Sequence, residues 1–362
     1  MMIKWWKPSI NIKNFEKIKD IAKRGWPNQG KYSNILENKI KSLLKVKHCL
    51  TCTSGTSAIY LAIKALKLKK NSEILLPNIS YAAAGNAIIS AGYKVKLVDV
   101  EKKLPVIDLN DLKKKISNRT KAIIVVHISG RSNNFQEIFN LCRKKGIIII
   151  EDAAEALFSK LNKKYLGTIG DIGCYSLSPN KIITSGQGGL IVTNNSRYFN
   201  YISRFKDQGR NINTTGGSDT HYHLGFNFKY TDLQATITLS QIEDIKKKKK
   251  KLIENYKLYK KFLVNNKKFF ILPFELKKGN LPLWIDCYCA DRNKLMKFLD
   301  KFQIPVRKFW YSLNSQNEFR QKKNKLENSV LLSKKLIWLP SGFSLKKKEI
   351  LYICNKIKFY YE

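Results

Sequence analysis

The sequence predicts an α/β protein with a mostly parallel central sheet and a smaller C-terminal α+β domain. Apolar runs of strand length alternate with helix-periodic segments from about residue 35 to 193. A long helical pattern follows, and after it shorter strands and helices alternate. The division expected is an N-terminal arm over 1–34, a large domain over 35–245 and a small domain over 246–362.

In chain order, CLTCTSG (49–55) reads as a strand entering a turn. Further strands are expected at 73–77, 95–100, 122–128, 147–152, 173–177 and 190–193, each a short apolar run. Between them, 56–66, 81–90 and 134–145 carry apolar residues at helical spacing. The pattern over 231–264 reads as one long helix whose lysine run, 246–251, is a solvated face. Strand 284–289, helix 292–302, strand 304–309 and a last helix after Leu345 complete the small domain.

A chain of 362 residues with 43% apolar content supports a sizeable core. It has no apolar run of the roughly 18 residues a membrane-spanning helix needs. MMIKWWKPSINIKNFEK lacks the apolar stretch of a signal peptide, so a cytoplasmic protein without a membrane partner is expected. The seven cysteines are odd in number and scattered through apolar segments, which fits reduced, buried thiols. Cys49 and Cys52 form a C-x-x-C, but no second pair follows at zinc-ribbon spacing, so buried strand residues are expected and no metal. Lysine and arginine number 68 against 27 acidic residues, a net +41 that raises nucleic acid or an anionic membrane surface as a rival reading. The excess is mostly lysine spread along the whole chain, without zinc-finger spacing or RNA-binding aromatics. Weak polyanion binding at low salt, not a dedicated nucleic-acid site, is what it implies.

Three segments carry candidate chemistry. In TSGTSAIYLAIKAL, Ser54, Gly55, Thr56 and Ser57 lead into an apolar helix, and helix-terminal N–H groups beside hydroxyls make an anion site; Ser and Thr also cap helices without binding anything. GIIIIEDAAEA runs an apolar strand into Glu151 and Asp152, where carboxylates face the crevice at which α/β sheets bind ligands; the alternative is that Asp152 caps the next helix. In GDIGCYSLSPNKIITSGQGGLIVTN, Lys181 lies between two strand-like runs and ahead of Gly186, Gly188 and Gly189. Alone, such a lysine is ordinary solvated surface.

Together with LPNISYAAAGNAIISAG, VVHISGR, KDQGRN, HLGFNFKYTDLQA and WLPSG, and in this order over nearly the whole chain, these segments resemble the DegT/StrS-type sugar aminotransferases of fold type I. That resemblance implies pyridoxal phosphate as cofactor. Lys181 sits where the family's Schiff-base lysine lies, with a second role as proton carrier. Asp152 matches the partner of the pyridine nitrogen, and Glu155 the residue at the ring-hydroxyl side. Gly55, Thr56 and Ser176, with Ser57 beside them, match the phosphate site. Tyr81 matches an aromatic ring on the cofactor's face, or packs as a core aromatic. Asn227 matches a residue that reaches the phosphate from a partner subunit, which implies a homodimer with shared sites.

The implied reaction moves an amino group from glutamate to a nucleotide-linked keto sugar, with a 4-keto-6-deoxy sugar favoured. Glu155, where many relatives have Gln, resembles the perosamine-synthase-like branch. Arg210 and Arg307 are candidate contacts to the substrate's diphosphate, or ordinary surface and interface arginines. The chain departs from the family at Lys229, Gln187, Ser129, Arg131 and Asn314, positions expected mostly near the sugar nucleotide. Two alternatives are a dehydratase of the same fold, in which His replaces the lysine now at 181, and a non-catalytic regulatory or polyanion-binding protein.

Overall fold

The computed structural model describes residues 3–10, 16–132, 134–211, 220–320 and 325–362. Helices α1 (Glu16–Arg24) and α2 (Lys31–Leu44) precede strand β1 (His48–Cys52). Then α3 (Gly55–Ala65), β2 (Glu73–Pro77), α4 (Ala82–Ser90), β3 (Lys94–Val98), α5 (Leu109–Lys115), β4 (Thr120–Val126), α6 (Phe135–Lys144) and β5 (Ile148–Asp152) alternate. A two-strand ribbon, β6 (Lys160–Leu161) and β7 (Lys164–Tyr165), leads to β8 (Ile172–Ser176) and β9 (Gly189–Thr193). Helices α7 (Ser196–Phe205), α8 (Asp232–Leu239) and α9 (Ile245–Phe262) follow. The last elements are β10 (Phe269–Ile271), β11 (Ile285–Cys289), α10 (Arg292–Asp300), β12 (Arg307–Lys308), α11 (Glu327–Lys335), β13 (Leu336–Leu339) and α12 (Lys347–Tyr361).

The large sheet has seven strands in the order β1-β9-β8-β5-β4-β2-β3. All run parallel except β9, which is antiparallel to both β1 and β8. Strands β2, β8 and β9 are buried along their whole length, as a sheet covered by helices on both faces requires. A second, antiparallel sheet, β10-β11-β13-β12, belongs to the C-terminal part.

The single reversed strand places the chemistry. Parallel strands deliver their C-terminal ends to one edge of the sheet, where β5 ends at Asp152 and β8 at Ser176. Because β9 runs backwards, it starts at that same edge, so the connection 177–188 with Lys181 crosses directly over it. Gly189, where β9 begins, touches the turn after β1: a Cβ there would come within 2.3 Å of the Ser54 carbonyl oxygen.

Three expectations change. The pattern 231–264 is two helices, because the Ile237 carbonyl is taken by the side chains of Ser240 and Gln241, while the Gln241 N–H turns to Thr238. The run 246–251 is not wholly solvated: Lys246, Lys247 and Lys250 are exposed, but Lys248 is buried. Strand 304–309 shrinks to Arg307–Lys308, since Gln303 turns left-handed (φ 55°) and the Ile304 N–H closes the end of α10 on the Leu299 carbonyl. The seven cysteines are all buried and unpaired, Cys49 and Cys52 among them on β1.

Candidate active site

One cavity of about 420 Å³ opens at the sheet edge just described. Among its walls are Gly55, Thr56, Tyr81, Asp152, Glu155, Ser176, Lys181 and Arg307, eight of the residues singled out from the sequence. They come from the start of α3, the residue capping α4, the end of β5 and the turn after it, the end of β8, the β8–β9 connection, and β12.

At the start of α3, Ser54 and Ser57 form a reciprocal capping box, each hydroxyl accepting from the other's backbone N–H. This uses the Ser57 N–H and leaves Gly55 and Thr56 at the first two positions, whose N–H groups have no acceptor within a helix. Gly55 is packed against Ser176: a Cβ there would lie 3.0 Å from the Ser176 Cβ. The result is a shallow cradle of backbone N–H groups, the Ser176 hydroxyl, and Ser178, whose hydroxyl pairs with that of Ser176 at 2.9 Å. Ser57 does not face this cradle. Its hydroxyl is held by Thr53 and Ser54, and the residue borders a separate depression beside Tyr60 and Phe228.

Beneath the cavity, Asp152 is buried and one of its oxygens accepts the Ala154 N–H at 3.1 Å, so the capping reading and the ligand-facing position coexist. Burial raises its carboxyl above the ordinary range, while the Ala154 N–H and the Lys181 charge oppose the rise. Glu155 accepts the Ser129 N–H at 2.8 Å with one oxygen and faces the Lys181 ammonium at 3.5 Å with the other. Burial pushes Glu155 up to about 7 against the pull of that lysine.

The opposite wall is aromatic. Trp5, Trp284, Trp310 and Trp338 line it. The Lys181 Nζ lies 4.8 Å from the Trp284 ring centre and the Arg307 guanidinium 4.1 Å from that of Trp5. Tyr81 is 62% exposed at the rim, 5.9 Å from Trp310. The expected site residues include none of these tryptophans, although Trp338 lies in WLPSG and the pair Trp5-Trp6 in a basic arm is a visible signal.

Other candidates lie elsewhere. Asn227 is exposed outside the cavity, its side-chain oxygen accepting the Lys229 N–H at 3.3 Å. Arg210 also lies away from the cavity walls, in a turn closed on the Asp207 carbonyl. Of the departures, Gln187 lines the cavity. The rest do not: Lys229 pairs with Asp207 at 2.8 Å, and Asn314 exchanges hydrogen bonds with Asn78. Ser129 and Arg131 were expected near the substrate, but both are buried against the C-terminal sheet. Arg131 pairs with Asp286 of β11, which also accepts the Ser129 hydroxyl at 2.9 Å, and the Arg131 guanidinium covers the Phe274 ring. A buried guanidinium needs a carboxylate, and the nearest one is Asp286.

The sequence matches the DegT/DnrJ/EryC1/StrS aminotransferase family over residues 8–358. The chain belongs to that family. It is 31% identical to a GDP-perosamine synthase of Vibrio cholerae and 30% identical to that of Escherichia coli O157:H7, with 99% and 98% of each chain covered. Among solved structures, the Helicobacter pylori aminotransferase PseC superposes with a TM-score of 0.93 at 22% identity over 99% of both chains. An Escherichia coli GDP-4-keto-6-deoxy-D-mannose-3-dehydratase with bound hydrated pyridoxal phosphate gives 0.88 at 21% identity, over 99% of this chain and 100% of that one. These two likenesses establish the fold.

As a member of this family, the protein is a pyridoxal-phosphate-dependent sugar aminotransferase, like the perosamine synthases it is similar to. The cavity fits that cofactor on its own evidence. The cradle at Gly55, Thr56 and Ser176 suits a phosphate, Asp152 is an ionisable group buried in the floor, and the Lys181 amine stands in the same space.

Proposed function

We propose that the protein transfers the amino group of glutamate to the keto carbon of a nucleotide-linked 4-keto-6-deoxy sugar, for surface-polysaccharide or glycoconjugate synthesis in the cytoplasm. The observation that carries this reading is the Lys181 amine sharing one cavity with Asp152, Glu155 and the Gly55–Ser176 cradle. The names of the two GDP-perosamine synthases support the sugar class.

Pyridoxal phosphate, when bound, supplies a reactive aldehyde and a ring that accepts electrons. The chain's residues hold and tune it. Gly55, Thr56 and Ser176 would take the phosphate, Asp152 would keep the pyridine nitrogen protonated, and Glu155 would meet the ring hydroxyl. Lys181 would hold the aldehyde through its amine, and the same amine would serve as the proton carrier at the reacting carbon. Keeping the amino group between the two substrates would be the cofactor's part, so glutamate would leave as 2-oxoglutarate before the keto sugar enters.

The tryptophan wall suits a sugar whose exposed face is apolar, as a 6-deoxy sugar's is, since an aromatic surface offers little to an added hydroxyl. Arg307, which lines the cavity beside Trp5, would contact the diphosphate. Asn227 serves a second copy of the chain, reaching the phosphate of the neighbouring site in a homodimer; the exposed Tyr222, Leu224 and Phe226 beside it support such a contact face. Incubating the amine-loaded enzyme with a panel of nucleotide keto sugars tests the reading. 4-keto-6-deoxy substrates should take up the amino group roughly 10- to 100-fold faster than their 6-hydroxy analogues. Equal transfer to a 6-hydroxy analogue would remove the substrate assignment, and no transfer to any sugar would remove the function.

A further inference from the structure

Lysines 246–251 form a run in which one side chain breaks the pattern: Lys248 is 3% exposed. Its ammonium donates to the Ser9 carbonyl at 2.9 Å, the Ile182 carbonyl at 3.1 Å and the Gln241 side-chain oxygen at 3.1 Å. An ammonium has three donors, and these acceptors use all three. Ile182 follows Lys181 directly. Gln241 in turn clasps Thr184 from both sides, accepting its N–H at 3.2 Å and donating to its carbonyl at 2.6 Å. The turn that carries Lys181 is thus fastened to the break between α8 and α9.

The N-terminal segment 3–10 crosses over this turn as a strap. It is held at Ser9 by Lys248 and at Trp6, whose indole N–H donates to the Pro179 carbonyl at 3.0 Å, two residues before Lys181. A third tie joins the Ser341 N–H to the Trp5 carbonyl at 3.0 Å. Trp5 then forms part of the cavity wall. One ammonium therefore links the strap that supplies the wall to the turn that supplies the reacting amine.

We propose that Lys248 is a positioning residue for the reaction: by bridging Ser9 and Ile182 it holds the Lys181 turn and the Trp5 wall in register with each other. The proposal rests on Lys181 being the reacting lysine. Burial holds the Lys248 ammonium down to about 8, with Asp244 pulling the other way. The adjoining cavity carries Lys7, Lys247, Lys250, Lys251 and Glu254, and the Phe343 ring lies 5.3 Å from the ammonium. A cation kept in so unfavourable a place must have its acceptors, which is why displacing the strap costs more than one ordinary hydrogen bond.

The test is Lys248→Met, with Lys247→Met on the exposed face as the control. Amide hydrogen exchange on the cofactor-free protein reads the strap (3–10) and the turn (181–185), and steady-state kinetics on the loaded enzyme read the consequence. Lys248→Met should speed exchange in both segments and lower kcat roughly 10- to 100-fold with KM for the sugar little changed, since a misplacement of about 1 Å costs that much. Lys247→Met should match the wild type. Unchanged exchange in Lys248→Met overturns the proposal, and so does faster exchange with an unchanged kcat, which would make Lys248 a structural tie alone. If Lys181→Ala retained turnover, the reading of the site would fail separately, whatever the exchange showed. Should Lys248→Met not fold, Gln241→Met removes one acceptor and the clasp on Thr184; wild-type exchange at 181–185 in that variant equally overturns the proposal.

Discussion

The Lys181 ammonium stands 3.5 Å from a Glu155 carboxylate oxygen, both groups largely out of solvent. Burial pushes Glu155 up to about 7 from its ordinary 4.5. Between those pH values the folded chain binds more protons at this site than the unfolded chain does, so stability from this group is greatest at and below about 4.5 and is lost as pH rises through about 7. Glu155→Gln removes the titration. Its melting temperature, measured without cofactor, should gain on the wild type as pH rises from 5 to 8. A gap between the two proteins that stays constant with pH would contradict the assignment.

Lys181→Ala should retain the far-ultraviolet circular dichroism of the wild type and lose turnover by about three orders of magnitude or more, because no other described residue lining the cavity offers an amine. Borohydride treatment of the loaded wild type should fix the cofactor on the peptide containing residue 181, and should fix none on the variant.

Asp152→Asn keeps the shape of the side chain and its bond to the Ala154 N–H but removes the charge. Both half-reactions should slow by roughly 10²-fold, the usual scale for removing one preorganised electrostatic partner. Single-turnover measurements with glutamate and with the keto sugar separate them, and a defect confined to one half would point to a role other than holding the pyridine nitrogen.

Gly55→Ala places a methyl 3.0 Å from the Ser176 Cβ, in a backbone region where neither residue can retreat far. Cofactor affinity, measured by equilibrium dialysis, should fall about tenfold, equivalent to ~1.4 kcal/mol. The same change at Gly92, where a Cβ meets open space but φ is positive, should affect stability and leave that affinity alone.

Arg131 and Asp286 form a buried pair between the segment after β4 and strand β11. Asp286→Asn leaves the guanidinium without its counter-charge and should cost about 3–5 kcal/mol in a denaturant titration. The double change Arg131→Met, Asp286→Leu should recover part of that loss, and failure of the double variant to exceed the single one would show that Ser129 and the backbone carbonyls carry the contact instead.

The strands of the large sheet were legible within a residue or two because most of them are short apolar runs, whereas β10 and β13 of the C-terminal sheet were not expected and β12 is shorter than expected. Lys181, Asp152 and Glu155 were expected at one site from the family resemblance, and the structure brings the three to one cavity. Three features were not legible. Trp5 reaches Trp284 and Trp338 across almost the whole length of the sequence, and no local pattern reports a contact at that separation. Lys248 is chemically indistinguishable from its neighbours in the run; only the break at Gln241, itself made by side chains capturing the Ile237 carbonyl, turns it inward. Ser57 carries the same hydroxyl whether it caps a helix or binds an anion, and the capping box claims it here.

The chain has six tryptophans, and five of them are gathered at the cavity or on the strap over it, leaving Trp26 as the distant one. Most of its tryptophan emission should therefore come from side chains in or beside this cavity. Filling that chamber with an absorbing ring should quench the glow, so the protein carries a built-in optical gauge of its own occupancy, readable without any added dye.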